Sequence, residues 1–291
     1  MKEKKAIRLA AIDLDQTLLH SDKTFTEYSR TVIRRLIEKG ILVVPTSGRD
    51  LDRMQENILQ IPGIRYAIGL NGSKVYNLGN GDPDRDPSVI RQIAGFPLSE
   101  DETVFSLDYM RPWCDILEMD TDRGLLMEIV TDSPEAVRFV RKRYFFINFD
   151  VQNYESLSDF ARRETPKVWK ISGFYADREK FNGILAKPFP QQSIDFCASD
   201  DLLTECCSAK ASKGNGLKAL MEYLGLSQDE VLAVGDNGND VSMFRTAGTS
   251  IAVGNALPEV QAAATYTADT NDNDGAAKAL EKLFLNEESC S

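Results

Sequence analysis

The residues best suited to chemistry are two carboxylates, Asp13 and Asp15, at the end of the apolar, strand-like segment Ile7–Asp13. Two carboxylates held about 4 Å apart repel each other by roughly 4 kcal/mol at an effective dielectric constant near 20. A divalent cation bound beside them would relieve that repulsion. A solvated acidic turn is the simpler interpretation when the pair is taken alone.

A second acidic cluster favours the cation. The residues from Gly235 to Asp240 are Gly-Asp-Asn-Gly-Asn-Asp, directly after the strand-like segment Val231–Val234. Glycine permits a tight turn, and Asp236 offers the hard oxygen ligand that Mg²⁺ prefers. A generic Asn- and Gly-rich turn is the alternative for this cluster alone. Two acidic clusters at the ends of predicted parallel strands are much harder to attribute to chance.

Two further positions could bind an anion such as phosphate. Thr46-Ser47-Gly48-Arg49 ends a predicted strand, where the Ser47 hydroxyl and the following backbone N–H groups could receive an anionic oxygen. A helix N-cap is the alternative role, and both roles are compatible. Lys213 precedes Gly214 and a predicted helix, and it could supply positive charge to phosphate. A solvated lysine is the alternative for this residue alone.

Strand and helix patterns alternate around these residues. Buried strands are predicted at Ile7–Asp13, Ile41–Val44, Tyr66–Leu70, Val231–Val234 and Ser250–Val253, and helices at Asp50–Leu59, Leu217–Leu224, Val241–Ala247 and Ala276–Leu285. Thr26 is predicted to cap a further helix, and Asn71-Gly72 is a hairpin signal. This order predicts an α/β fold with a doubly wound, Rossmann-like parallel sheet. In such sheets ligands bind beyond the carboxyl ends of the strands.

The middle of the chain lacks this strict alternation. Asn77–Pro87 is rich in Gly, Asn, Asp and Pro, which is typical of a linker. Beyond it we expect strands at Leu125–Thr131, Val168–Phe174, Ser193–Cys197 and Leu202–Cys207, with helices at Pro134–Tyr144 and Asp177–Ala186. The pattern predicts an inserted α+β domain. We therefore expect a core of residues 1–82 and 208–291 and an insertion of residues 83–207.

Four segments together resemble the motifs of the haloacid dehalogenase superfamily. They are Asp-Leu-Asp-Gln-Thr-Leu-Leu from Asp13, Thr-Ser-Gly-Arg from Thr46, Lys-Gly-Asn-Gly-Leu-Lys from Lys213 and Gly-Asp-Asn-Gly-Asn-Asp from Gly235. Their order and spacing are similar to those of Cof-type subclass IIB phosphatases, which carry a large α/β cap between the second and third motifs. The resemblance extends from about Leu9 to Leu285. Each motif alone is weak, whereas the four together are highly specific.

The resemblance implies a role for each matching residue. Asp13 would be the nucleophile that attacks phosphorus, and Asp15 would protonate the leaving alcohol and later activate water. Mg²⁺ would be bound by Asp13, the backbone carbonyl of Asp15, and Asp236. The remaining positions would contact phosphate or support the site: Ser47, Lys213, Asn239 and Asn71 as phosphate ligands, and Asp240 behind them.

Two positions depart from the family pattern. The family usually has Gly where this chain has Gln16, so the turn of the first motif is expected to differ slightly. The second motif usually has Thr at the position of Ser47. Serine keeps the hydroxyl group, so we expect little loss of function there.

Composition excludes several other classes of protein. The 291 residues carry a net charge of −11, with 45 acidic and 34 basic residues, which argues against a nucleic-acid-binding protein. No apolar run approaches the roughly 18 residues needed to span a bilayer, and the first residues lack the apolar stretch of a secretory signal. The five cysteines are odd in number and show no disulfide spacing. We expect a cytoplasmic protein whose partner is a small phosphorylated metabolite, without a protein, nucleic-acid or membrane partner.

Two alternatives to a phosphatase remain open. A phosphomutase acting on a sugar phosphate would return the phosphoryl group to the sugar. A non-catalytic regulator that binds Mg²⁺ or a phosphometabolite would keep the fold without turnover, although intact Asp13, Asp15, Lys213 and Asp236 disfavour it. The fold does not choose among substrates, because one scaffold hosts many functions.

Overall fold

The computed structural model describes residues 6–131, 134, 138, 152–153 and 156–285. The chain forms two compact units. Unit 1 consists of Met1–Gly95 and Ala211–Ser291, and unit 2 is Phe96–Lys210. The predicted first boundary, near residue 83, lies too early, because the strand Arg91–Gly95 pairs with Lys74–Asn77 inside the sheet of unit 1.

The strands of the described residues are, in chain order, β1 (Leu9–Asp13), β2 (Leu42–Thr46), β3 (Tyr66–Gly69), β4 (Lys74–Asn77), β5 (Arg91–Gly95), β6 (Ile116–Thr121), β7 (Gly124–Ile129), β8 (Gln152–Asn153), β9 (Val168–Phe174), β10 (Ile194–Asp200), β11 (Leu203–Ser208), β12 (Val231–Gly235), β13 (Thr249–Ala252) and β14 (Tyr266–Thr267). The α-helices are α1 (Glu27–Glu38), α2 (Glu56–Leu59), α3 (Glu100–Met110), α4 (Leu157–Glu164), α5 (Arg178–Leu185), α6 (Lys213–Leu224), α7 (Val241–Thr246), α8 (Pro258–Ala263) and α9 (Gly275–Leu280).

A mainly parallel sheet forms the centre of unit 1. Its strand order is β14-β13-β12-β1-β2-β3-β4-β5, parallel from β14 to β3 and antiparallel from β3 to β5. Strands β1 and β12 are fully buried, as expected for parallel strands covered on both faces. The chain places β2 and β3 on one side of β1, and later places β12, β13 and β14 on the other side. Strand β1 therefore lies at the topological switch point, where ligands bind in such folds.

Two hydrophobic cores cover opposite faces of this sheet. One includes Ile12 of β1 with Leu36 of α1, and the other includes Ala11 of β1 with Leu217 of α6. Neighbouring strand residues point to opposite faces, so the two cores lie on either side. The side chain of Thr26 accepts a hydrogen bond from Ser29 N and caps α1 as predicted. The predicted fold class, a doubly wound α/β core with an inserted α+β domain, is confirmed.

Unit 2 is built around a mainly antiparallel sheet of order β10-β11-β9-β6-β7-β8, in which only the β7–β8 pair is parallel. Its core joins Leu107 of α3, Leu157 of α4 and Ile184 of α5 to sheet residues such as Leu117 and Ile171. No sequence pattern predicted β6, α3 or α4. The predicted helix Pro134–Tyr144 lies largely outside the described residues.

Some local predictions for unit 1 were wrong in extent. The segment predicted as the helix Asp50–Leu59 contains a short 3₁₀ turn at Leu51–Arg53 and the single-turn helix α2. The Asn71-Gly72 hairpin is present between β3 and β4, but Gly69 pairs with Lys74, so its loop has four residues instead of two.

The cysteines form no disulfide among the described residues: Cys114, Cys206 and Cys207 are buried as free thiols and Cys197 is exposed, while Cys290 lies outside the described residues. Across the described part of the chain, no helix has both the length and the apolar character needed to cross a membrane.

Candidate active site

The predicted site residues of unit 1 follow neighbouring strands of the parallel sheet. Asp13 ends β1, Ser47 follows β2, Asn71 follows β3 and Asp236 follows β12. The strand order β12-β1-β2-β3 makes these strands adjacent, and Asp13 pairs in register with Thr46. Parallel strands end at the same edge of a sheet, so the fold gathers these side chains at one edge.

Lys213 lies at the centre of the acidic residues. Its ammonium group donates hydrogen bonds to Asp13 Oδ1 and, at 2.6 Å, to Asp240 Oδ1. All three side chains are buried. Burial alone would lower the pKa of Lys213, but the two carboxylates raise it, so the ammonium stays charged. The solvated lysine considered above is therefore wrong for this residue.

Burial also raises the pKa of the Asp13 carboxyl well above its usual value, with smaller contributions from the charges of Asp240 and Asp236. Lys213 opposes this shift. Burial likewise raises the pKa of Asp236, while a hydrogen bond of 2.7 Å from the Thr17 hydroxyl to Asp236 Oδ1 lowers it. Ionisation of both carboxyl groups is therefore disfavoured in this arrangement, and a cation bound beside them would favour their charged forms.

Asp240 supports the site through its own hydrogen bonds. Its Oδ2 accepts the backbone N–H groups of Asp236 at 2.9 Å and Asn237 at 3.0 Å, while Oδ1 accepts Lys213. A Cβ at Gly235 would lie 2.4 Å from the Asp240 carboxyl carbon. Glycine at 235 is therefore required for the Asp240 carboxylate to approach the backbone of Asp236 and Asn237.

The three carboxylates could together hold a metal ion. Asp13, Asp236 and Asp240 each offer an oxygen, and these atoms all lie within 4.8 Å of one another. Asp240 already accepts three hydrogen bonds, whereas Asp13 and Asp236 keep more lone pairs for a cation. Hard carboxylate oxygens with excess negative charge suit Mg²⁺ or Ca²⁺. The donor set therefore fits a hard divalent cation.

Ser47 is arranged to donate a hydrogen bond. Its buried hydroxyl oxygen accepts the backbone N–H of Arg49 at 3.1 Å. Among the described residues its own hydrogen has no acceptor, and a phosphate oxygen is a strong acceptor for such a group.

The two predicted asparagines lie together. Asn239 Nδ2 donates to Asn71 Oδ1 at 3.1 Å. Asn71 adopts a left-handed conformation with φ 54°, which Asn tolerates better than most residues. An added Cβ on Gly72 would lie 1.9 Å from the carbonyl oxygen of Ser212, so the hairpin approaches the start of α6 very closely.

Asp15 is paired with two basic residues that were not predicted as site residues. Its Oδ1 accepts Lys23 Nζ and Arg49 Nη2, each at 2.9 Å. Arg49 belongs to the second motif, which was its only sequence signal. Lys23 lies in a turn without periodicity and gave none.

Gln16 occupies the position where the resemblance leads one to expect Gly, and it takes up a glycine-like conformation with φ 61°. Asn255 Nδ2 donates to its backbone carbonyl at 2.8 Å, and its side-chain oxygen accepts the Ser21 hydroxyl at 3.2 Å. These bonds hold the left-handed turn, so the first motif keeps a tight turn without glycine. Thr17, which orients Asp236, was not predicted as a site residue.

A family model and several known proteins match nearly the whole chain. A family model described as haloacid dehalogenase-like hydrolase matches residues 10–93 and 98–280. The 5-amino-6-(5-phospho-D-ribitylamino)uracil phosphatase YwtE of Bacillus subtilis is 26% identical over 291 residues, covering 96% of this chain and 98% of that protein. A haloacid dehalogenase-like hydrolase structure from B. subtilis aligns with a TM-score of 0.75 at 25% identity, covering 95% and 100% of the two chains. A subclass IIB sugar phosphatase shares the fold, with a TM-score of 0.75 at 18% identity over 94% and 98% of the chains.

Proposed function

Because this chain belongs to the haloacid dehalogenase-like hydrolase family, we propose that it is a Mg²⁺-dependent phosphatase of small phosphorylated metabolites that works through an aspartyl-phosphate on Asp13. One observation carries the proposal. The buried carboxylate of Asp13 lies against the Lys213 ammonium and within 4.8 Å of the Asp236 carboxylate, at the carboxyl edge of the sheet. Unit 1 is proposed as the catalytic core and unit 2 as the cap.

In the first step, an oxygen of Asp13 attacks phosphorus and the bond from phosphorus to the ester oxygen breaks. Asp15 gives its proton to the departing alkoxide, which leaves as an alcohol. A carboxylate nucleophile divides a very slow hydrolysis into two easier steps.

In the second step, Asp15 accepts a proton from water as the water oxygen attacks the phosphorus of the aspartyl-phosphate. The bond between phosphorus and Asp13 breaks, which releases inorganic phosphate and regenerates the carboxylate.

The phosphoryl oxygens need hydrogen-bond donors and positive charge throughout. Lys213 uses two of its three N–H donors on Asp13 and Asp240, which leaves one for a phosphoryl oxygen. Ser47 would donate its hydroxyl hydrogen, and Asn239 and Asn71 would offer amide groups. Mg²⁺, when held by Asp13, Asp236 and the backbone carbonyl of Asp15, supplies further positive charge against these oxygens.

Sugar phosphates or similar esters are the proposed substrate class. The relative YwtE is named for a phosphorylated ribitylamino compound, which supports a polyhydroxylated substrate for this chain as well.

Phosphate release from a panel of sugar phosphates, nucleotides and cofactor phosphates tests the proposal. We expect turnover with Mg²⁺, loss of turnover with a chelator, and at least a thousandfold lower kcat for Asp13→Asn, which lacks the nucleophile. Asp101→Asn, an exposed substitution in α3, should retain full turnover. Full activity of the Asp13→Asn variant, or of the wild type in chelator, would contradict the mechanism.

A further inference from the structure

Two basic side chains lie beside Asp15, and the proposed reaction gives them no role. Lys23 Nζ and Arg49 Nη2 both lie 2.9 Å from the same atom, Asp15 Oδ1. Lys23 comes from the turn after β1, and Arg49 comes from the loop after β2. Two separate segments of the chain thus deliver positive charge to one oxygen of the site.

Both side chains keep hydrogen-bond donors for a ligand. An ammonium group has three N–H donors and a guanidinium group has five, and each uses one on Asp15. The Lys23 and Arg49 side chains are 46% and 40% exposed, and that of Asp15 is 32% exposed. Ion pairs as exposed as these are weak, so their remaining donors can turn to a bound anion.

The backbone conformation at Lys23 is unusual for a lysine. Lys23 has φ 70°, in the left-handed region where a lysine side chain is strained. Its N–H donates to His20 O at 2.9 Å, and its carbonyl accepts Gln55 Nε2 at 3.4 Å. Gly or Asn would suit this turn with less strain, so the turn itself does not explain a lysine here.

The local charge balance differs from that around Lys213. The Lys213 ammonium faces two carboxylates, Asp13 and Asp240, so it brings no excess positive charge. Lys23 and Arg49 face one carboxylate, Asp15, which leaves an excess of one positive charge. In a chain of net charge −11, such an excess next to the site favours an anion.

We propose that Lys23 and Arg49 form a subsite for an anionic group on the leaving part of the substrate. The preferred substrates are then phosphate esters whose leaving group carries a carboxylate or a second phosphate. This inference rests on the proposed function, in which Asp15 protonates the ester oxygen and the leaving group therefore lies beside Asp15. Charged acceptors form stronger hydrogen bonds with these cations than the hydroxyl groups of a neutral polyol do.

Matched substrate pairs test this subsite. Glycerate 3-phosphate and glycerol 3-phosphate differ by a carboxylate in place of a hydroxymethyl group, and fructose 1,6-bisphosphate and fructose 6-phosphate differ by a second phosphate. We expect the wild type to favour the more anionic member of at least one pair by about tenfold in kcat/KM. The pair that shows the preference identifies carboxylate or phosphate as the recognised group.

The double variant Lys23→Asn, Arg49→Gln should reduce this ratio to about one. Asn tolerates the left-handed backbone at position 23, so the variant should fold. Each ratio compares two substrates on one variant, so any shared effect through Asp15 cancels. Lys23→Arg with Arg49→Lys should keep most of the preference, and Arg8→Ala, which removes an exposed cation paired with Glu230, should keep all of it.

Two results would overturn the subsite: a wild-type ratio near one, or an unchanged high ratio in the Lys23→Asn, Arg49→Gln variant. Equal turnover of both members of each pair would leave the proposed phosphatase function standing and reject only the subsite. Absence of turnover for every ester would reject the proposed function, and the subsite with it.

Discussion

At the scale of single residues, Asp240 links the parts of the site. It accepts Lys213 through one oxygen and the backbone of Asp236 and Asn237 through the other. Lys213 in turn contacts Asp13. A residue that need not touch the substrate thus sets the position of Lys213, the partner of the proposed nucleophile, and of the loop that carries Asp236.

We therefore expect Asp240→Asn to lower kcat by about a hundredfold, because a displacement of about 1 Å in a catalytic group can have that effect. All three groups that now donate hydrogen bonds to the carboxylate are N–H groups. The N–H donors of the substituted amide would therefore face another donor. The substitution would also remove a charge from a buried ion pair, so the free energy of unfolding should fall by about 3 kcal/mol. Steady-state kinetics and urea denaturation measure the two effects. Wild-type kcat in this variant would show that Asp240 does not position Lys213.

At the scale of elements, the hairpin β3–β4 is packed against the start of α6. Gly72 has φ 92°, and an added Cβ there would lie 1.9 Å from Ser212 O and 2.9 Å from Lys213 N. The position of Lys213 therefore depends on the absence of a side chain at residue 72.

Substitution Gly72→Ala should both destabilise the fold and lower kcat, because α6 must move away and carry Lys213 with it. Gly40→Ala is the matched control, since Gly40 has φ 85° but no atom within 4 Å of an added Cβ. The control should cost only the backbone strain, about 1–2 kcal/mol, and leave kcat unchanged. Urea denaturation and kinetics compare the two. Equal losses of stability in both variants would mean that the contact with α6 is not important.

Side-chain hydrogen bonds within unit 1 also connect the loop after β2 to β4. Asp50 accepts Lys74 Nζ at 2.6 Å and the Tyr76 hydroxyl. Burial alone would raise the pKa of Asp50, but the charge of Lys74 and these hydrogen bonds hold it below its usual value of 3.8. A lowered pKa in the folded state stabilises the protein above the unfolded pKa, and this stability is lost as the pH falls through the folded pKa.

Accordingly, Asp50→Asn should lower the free energy of unfolding by about 3 kcal/mol at pH 7 and at pH 5. The difference from the wild type should shrink as the pH falls below about 4 towards the lowered folded pKa, because the unfolded wild-type chain then protonates Asp50 before the folded chain does. Urea denaturation across this pH range measures it. A difference that stays constant down to pH 3 would exclude an ionised Asp50 as its source.

Sequence patterns predicted the elements whose signals are local and missed those that depend on tertiary contacts. Continuous apolar runs indicated β1, β2 and β12, and the carboxylates that follow them indicated the site. The segment after Asp50 has a helical pattern but forms mostly turns, because the Asp50 side chain bonds Lys74 and Tyr76 of β4. The ion pairs of Asp15 were beyond prediction, since they join positions 8 and 34 residues away through the fold.

At the scale of the whole molecule, both ends of the insertion meet the core at one hairpin. Gly95 pairs with Lys74 on β4, and Ser212 lies against Gly72, two residues earlier on the same hairpin. Unit 2 also has a hydrophobic core of its own. The chain thus leaves unit 1 and re-enters it at nearly the same place.

We expect unit 1 to fold when residues 96–210 are replaced by a short Gly/Ser linker, because its two ends need little added chain to join. The shortened protein should unfold in one cooperative thermal transition, and Mg²⁺ should raise its Tm, since Asp13 and Asp236 both belong to unit 1. Circular dichroism with and without Mg²⁺ measures both. A shortened protein that is unfolded would show that the core depends on the insertion.

The balance of charge around Lys213 also has a kinetic consequence. Asp13, Asp236 and Asp240 set three carboxylates against a single ammonium, so a phosphate dianion that arrives first meets repulsion. A divalent ion that arrives first removes it. Binding should then follow a compulsory order, in which the cation binds before the phosphate ester. Scarce cation would raise the apparent KM for the ester, and a large excess of ester would restore the full maximal velocity.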